Sequence, residues 1–169
     1  MKTKSTAQKL AVSALFAAFA CAATMIIKIP SPLNGYINPG DCIVLTAGWM
    51  LSPLYGFFAA GVGSALADLF SGYIVYAPAT FLIKGLMALT AWFLHKTLSK
   101  KTGGTTARII SGFTAETLMI LGYYVLEGFL YGFSASLVNI PANAVQGIAG
   151  LVLGLALVKA LKKARFNYM

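Results

Sequence analysis

Residues Gly72 to Ala88 read GYIVYAPATFLIKGLMA, and the fold follows from how this stretch is read. It enters an apolar segment through Tyr73, Tyr76 and Pro78. About two helical turns on, it sets a single lysine, Lys84, among Phe81, Leu82, Ile83, Leu86 and Met87. In a membrane span an ammonium group costs roughly 2.5–3.5 kcal/mol on insertion scales, so it should face a polar interior rather than lipid. Few residues are available to meet it. The chain has four acids, Asp41, Asp68, Glu116 and Glu127, all in or at the edges of apolar segments. Function is expected where they and Lys84 converge.

The surrounding composition fixes the solvent. Of 169 residues, 59% are hydrophobic and only 10% charged, with a mean hydropathy of +0.80; a soluble domain carries about 25% charged residues. This is an all-α integral membrane protein, expected as one membrane domain over residues 1–169. Six spans are expected, at about 7–27, 41–52, 54–70, 77–94, 107–131 and 139–161. The second is short. Twelve residues of helix rise about 18 Å against a hydrocarbon core of about 30 Å. Either it extends into the preceding loop, or protein buries it where the bilayer does not meet it. Residues 1–27 have the basic start and apolar run of a signal peptide, but more membrane follows, so they read as the first span.

The net charge of +9 does not indicate nucleic acid, because no basic patch carries interleaved aromatics. The basic residues cluster instead. Lys2, Lys4 and Lys9 open the chain, Lys96, Lys100, Lys101 and Arg108 share an expected loop (96–106) and its edge, and Lys159, Lys162, Lys163 and Arg165 close it. Six crossings put eleven of the thirteen basic residues on the cytoplasmic side, all except Lys28 and Lys84, with both termini there. The other ends of the spans then gather the hydrogen-bonding groups: Asn34 to Asp41, Asp68 to Tyr76, Glu127 to Ser134 and Asn139 to Gln146.

A pocket open to the outside follows, built from Tyr36, Asn38, Asp41, Asp68, Lys84, Tyr123, Glu127, Asn143 and Gln146. Amides, phenols and one or two ion pairs suit a small polar, partly aromatic solute. Blander readings stand beside this one. Asn143 and Gln146 also serve as interhelical links, Lys84 as a structural partner of Glu127 or Asp68, and the tyrosines as interfacial belt residues. Glu116, deeper in the span, fits either a structural pair or a coupling role. Cys21 and Cys42 lack metal-ligand spacing and read as small buried hydrophobes. No metal or cofactor is expected.

Several motifs are missing from the sequence. It holds no Gly-x-x-x-x-Gly-Lys-Ser/Thr, so the chain itself does not use ATP. Its one histidine, His95, stands alone, and no nucleophile or metalloprotease motif occurs. No second set of spans repeats the first. Binding without an engine is what remains.

An alanine ridge, Ala7, Ala11, Ala14, Ala18 and Ala22, runs along the first span at the spacing that allows close helix approach, within the chain or to a partner. Together with GYINPGD (35–41), YAPATFLIKG (76–85) and IPANAVQG (140–147), it resembles the S component, or substrate-binding subunit, of energy-coupling factor (ECF) vitamin transporters. The resemblance spans nearly the whole chain and lies nearest the branch for hydroxymethylpyrimidine, pyridoxine or riboflavin. It implies a subunit that takes a vitamin or precursor from outside and topples in the membrane to release it. It also implies that Ala14, Ala18 and Ala22 dock on a membrane-embedded coupling subunit, with two cytoplasmic ATPase subunits supplying the energy. The polar set favours a pyridoxine- or pyrimidine-like compound. The alternatives are a stand-alone proton- or sodium-coupled carrier using Glu116 and Glu127, and a membrane scaffold.

Overall fold

In the computed structural model, which describes residues 5–33 and 35–164, helices account for nearly every described residue. They are α1 (Thr6–Ile26), α2 (Asp41–Met50), α3 (Pro53–Phe70), α4 (Ala77–Thr102), α5 (Gly104–Tyr131), a one-turn α6 (Phe133–Ser136) and α7 (Ile140–Lys163), with a 3₁₀ turn over Leu137–Asn139. Among the described residues, five helical segments are long and apolar enough to cross a membrane, and α2 is too short. The expected positions Lys2, Lys4, Asn34 and Arg165 lie outside the described residues.

The short second helix resolves in favour of burial by protein. Eight of its ten residues are buried, and it is walled in by α3, α4 and α7. Gly48 makes this insertion workable, because a Cβ there would stand 2.5 Å from the Ala88 carbonyl oxygen and 3.0 Å from the Ala91 Cβ. Trp49, Leu45, Val44, Met87, Met119 and Val158 close the core around it. The Trp49 Nε1–H donates to Ser111 Oγ on α5 at 3.0 Å, so the largest buried ring leaves no orphan donor. The outer faces carry Phe129, Ile26, Phe113 and Ile148, each at least two-thirds exposed, as lipid-facing side chains should be.

Two expectations are corrected. The basic stretch 96–106 is not a loop: α4 runs through Lys96, Lys100 and Lys101 to Thr102, and α5 begins at Gly104. Lysine, leucine and threonine continue a helix readily outside the hydrocarbon. Only Gly103, at φ 81°, supplies the left-handed break. The loop between α1 and α2, where an all-α chain leads one to expect no strand, contains a small antiparallel hairpin of β1 (Ile29–Ser31) and β2 (Gly35–Ile37). Its turn holds Leu33 at φ 57°, an uncommon conformation for a side chain with a Cβ. The Tyr76 hydroxyl pins it by donating to the Leu33 carbonyl at 3.2 Å.

Helix α1 packs on α3 through Ser13, Phe16, Ala20 and Thr24, while Ala14, Ala18 and Ala22 are exposed. The alanine ridge is therefore not used for packing within the chain. The closest approach lies at Gly63, where a Cβ would meet the Ala17 carbonyl oxygen at 2.3 Å and the Ala20 Cβ at 2.8 Å. Gly63→Leu is expected to push α1 off α3 and cost about 1–3 kcal/mol by overpacking. A fall in the melting temperature of the purified protein checks this, and an unchanged value contradicts the packing described.

Candidate functional site

The polar groups collect at the end of the bundle that carries the hairpin. Three pieces of chain bring them together. The hairpin and the α2 entry supply Tyr36, Asn38 and Asp41; the α3–α4 corner supplies Asp68, Tyr73, Tyr76 and Thr80; and the facing ends of α5 and α7 supply Tyr123, Glu127, Asn143 and Gln146.

Lys84 is 3% exposed and forms an ion pair with Asp41, which is fully buried. The expected partners, Glu127 and Asp68, are not the ones it takes. Asp41 opens α2, whose helix dipole favours a negative charge at that position. The second Asp41 oxygen accepts from Gln146 Nε2 at 2.6 Å. Gln146 Oε1 in turn accepts from the Asn38 backbone N–H at 2.9 Å. Asn38 Oδ1 then receives the Gly40 N–H at 2.9 Å, closing the α2 entry. One glutamine thus ties α7 to α2, and through it to the lysine of α4. The Lys84 ammonium also stands 5.4 Å from the centre of the Tyr123 ring, within cation–π range.

The other acids are held separately. Asp68 Oδ1 accepts the Tyr36 hydroxyl at 2.7 Å. Burial, with the Asp68 carboxyl group beside it, pushes the Tyr36 phenol well above its ordinary value, so it remains a neutral donor. Glu127 Oε1 accepts Asn139 Nδ2 at 2.8 Å, while its buried Oε2 has no hydrogen-bond partner among the described residues. Glu116 lies deeper, and neither of its buried oxygens has a partner among the described residues. It flanks Gly150 opposite Asp41 and borders a lateral cavity of about 140 Å³ between α5 and α7. The structural pair weighed for Glu116 is not formed among the described residues.

Between these groups lies a cavity of about 40 Å³, room for a few waters at about 10–15 Å³ each. Of the nine residues expected at the site, seven line it: Tyr36, Asn38, Asp68, Tyr123, Glu127, Asn143 and Gln146. Asp41 and Lys84 do not; they stand one residue back, behind Gln146 and Tyr123. The sequence reading left out Ser31, Gly35, Tyr73, Tyr76 and Thr80. The tyrosines were readable as a cluster at one span end, whereas Ser31 and Gly35 reach the cavity only because the hairpin folds over it. Tyr36 and Tyr73 pack with their rings tilted at 49° and 4.7 Å between centres, and Tyr73 meets Tyr76 edge-on at 6.4 Å. Thr80 and Tyr123 share a hydrogen bond of 3.1 Å beneath them. Lys28 ties the hairpin to the α3–α4 corner by donating to Ser71 Oγ at 3.0 Å.

A polar, tyrosine-roofed cavity in the end of an apolar helix bundle defines a membrane-embedded binding protein for small solutes. The chain belongs to the ECF-type riboflavin transporter S-component family, whose match runs over residues 4–163. It is also similar to the solved S component of a bacterial ECF transporter, with a TM-score of 0.75 and 26% identity over 94% of this chain and 98% of that one. An uncharacterized protein in the gap 3′ region of Pyrococcus woesei is 35% identical over 142 residues, covering 83% of this chain and 92% of the relative. The protein is thus a multi-pass plasma-membrane transport subunit that binds substrate, and not an enzyme.

The buried pair generates a prediction. Lys84→Met leaves Asp41 charged and unmatched, a loss of about 3–5 kcal/mol. Adding Asp41→Asn removes that stranded charge and keeps an acceptor for Gln146. The double variant is therefore expected to recover most of the lost melting temperature. Equal melting temperatures for the single variant and the parent contradict a buried pair.

Proposed function

We propose that this chain captures a small hydroxylated heteroaromatic vitamin or precursor, pyridoxine- or hydroxymethylpyrimidine-like, from outside the cell. One observation carries the reading. The cavity offers flat phenol walls together with polar atoms not consumed by the fold: the Glu127 Oε2 and the side-chain amide of Asn143. Tyrosine faces suit a planar ring, and a carboxylate oxygen and an amide suit its hydroxyl and ring-nitrogen edges. The Lys84–Asp41–Gln146 chain sets the floor, orienting Gln146 and Tyr123 without reaching the solute. A compound of this size enters as Tyr36 swings outward with the hairpin.

Riboflavin is the second reading, supported by the family to which the chain belongs.

Both termini lie in the cytoplasm in this account, with the hairpin outside, as the basic clusters favour. The exposed ridge of Ala14, Ala18 and Ala22 meets the membrane-embedded coupling subunit, and two cytoplasmic ATPase subunits drive release. The ridge supports that docking because it faces away from α3 and lets another helix approach closely. A carrier working alone would need an engine of its own, and a scaffold would not need the unspent donors and acceptors of the cavity.

Isothermal titration of the purified protein with pyridoxine, hydroxymethylpyrimidine and riboflavin tests the assignment. One of the two single-ring compounds is expected to saturate, and Asn143→Ala to weaken it about tenfold with the melting temperature unchanged. Riboflavin binding alone assigns the second reading. No saturation by any of the three overturns both.

A further inference from the structure

The opposite end of the bundle holds a second and larger cavity, of about 410 Å³, between α1, the α2–α3 turn and α4. Its polar lining consists of Lys9, Lys96, His95 and the hydroxyls of Ser52 and Ser99, and its walls include Trp49, Trp92 and Tyr55. None of these side chains is acidic. The four acids of the chain all belong to the interior and hairpin end already described, and among the described residues neither lysine forms an ion pair. His95 is 8% exposed, and its Nδ1 is buried without a hydrogen-bond partner among the described residues. Arg108 and Lys162 press further positive charge toward it. Lys96 rests over Trp92, 4.6 Å from the ring centre.

Two ammonium groups without an ion-pair partner among the described residues rim a cavity whose lining holds no carboxylate, so the matching negative charge has to come from outside it. The missing chemistry is an anion with several acceptor oxygens. Half-buried Trp92 and Tyr55 in its walls are residue types that border a bilayer, and basic pockets between helices at that level take lipid headgroups. We infer that this cavity holds the phosphate group of an acidic phospholipid, with Lys9 and Lys96 on its oxygens. The half-buried Trp92 and Tyr55 faces then lie against the glycerol and upper acyl chain.

The site has a built-in reporter, since the only two tryptophans of the chain, Trp49 and Trp92, both line it. Detergent-purified full-length protein is titrated with dioctanoylphosphatidylglycerol, with dioctanoylphosphatidylcholine and with inorganic phosphate, and tryptophan fluorescence is followed. Saturation by the phosphatidylglycerol alone is expected. The double variant Lys9→Gln, Lys96→Gln, exposed at both positions, should shift its midpoint about thirtyfold with the melting temperature unchanged. Native mass spectrometry should show the parent retaining one acidic phospholipid that the variant loses. Equal responses to the two lipids, or an unshifted midpoint in the variant, overturn the site. Saturation by inorganic phosphate at the concentration that phosphatidylglycerol requires overturns the lipid assignment in favour of a soluble phosphate.

Discussion

The structure depends on how it accommodates one ammonium group inside a bilayer-spanning bundle. Lys84 and Asp41 are both removed from solvent, and such a pair is tolerable only where the remaining donors and acceptors are satisfied. Gln146 and the N-terminal end of α2 meet that condition. The pair needs Asp41 brought to the depth of Lys84, which explains why α2 is short and wholly surrounded: a full-length span could not present its first residue so far inside. The hairpin follows from the same constraint, because the chain must return from the end of α1 to a helix that starts below the surface. The cavity is what remains between that hairpin and the helix ends it covers.

Much of this was legible in the residues. The termini of α1, α3 and α7 fell within about two residues of the apolar runs, since proline, glycine and charge end helices there for local reasons. The clustering of polar residues at one end followed from charge asymmetry alone. What the sequence did not reveal were facts of pairing. Lys84 had three acids within plausible reach, and periodicity along one helix does not say which of them a different helix delivers. The hairpin was hidden because Ile29–Ser31 and Gly35–Ile37 are only three residues each, too short for alternation to register. The helical course of residues 96–102 was misread because lysine clusters look like loops although their backbone propensity is helical.

The two ends of the molecule divide the chemistry between them. One concentrates acceptors and phenols around a small cavity; the other presents donors and positive charge around a larger one. A binding subunit that works with an energised partner needs specificity at the first end and a fixed relation to the membrane at the second. The exposed alanine face of α1 belongs to neither.

The most direct measurement is mass spectrometry of small molecules released from protein purified gently from native membranes. The account requires one hydroxylated heteroaromatic compound of vitamin type at near-equal ratio to protein, absent from a Glu127→Gln, Asn143→Ala variant that folds normally. A parent protein that releases no such compound, or a variant that retains it at the same ratio, contradicts the assignment of the hairpin-covered cavity as the binding site.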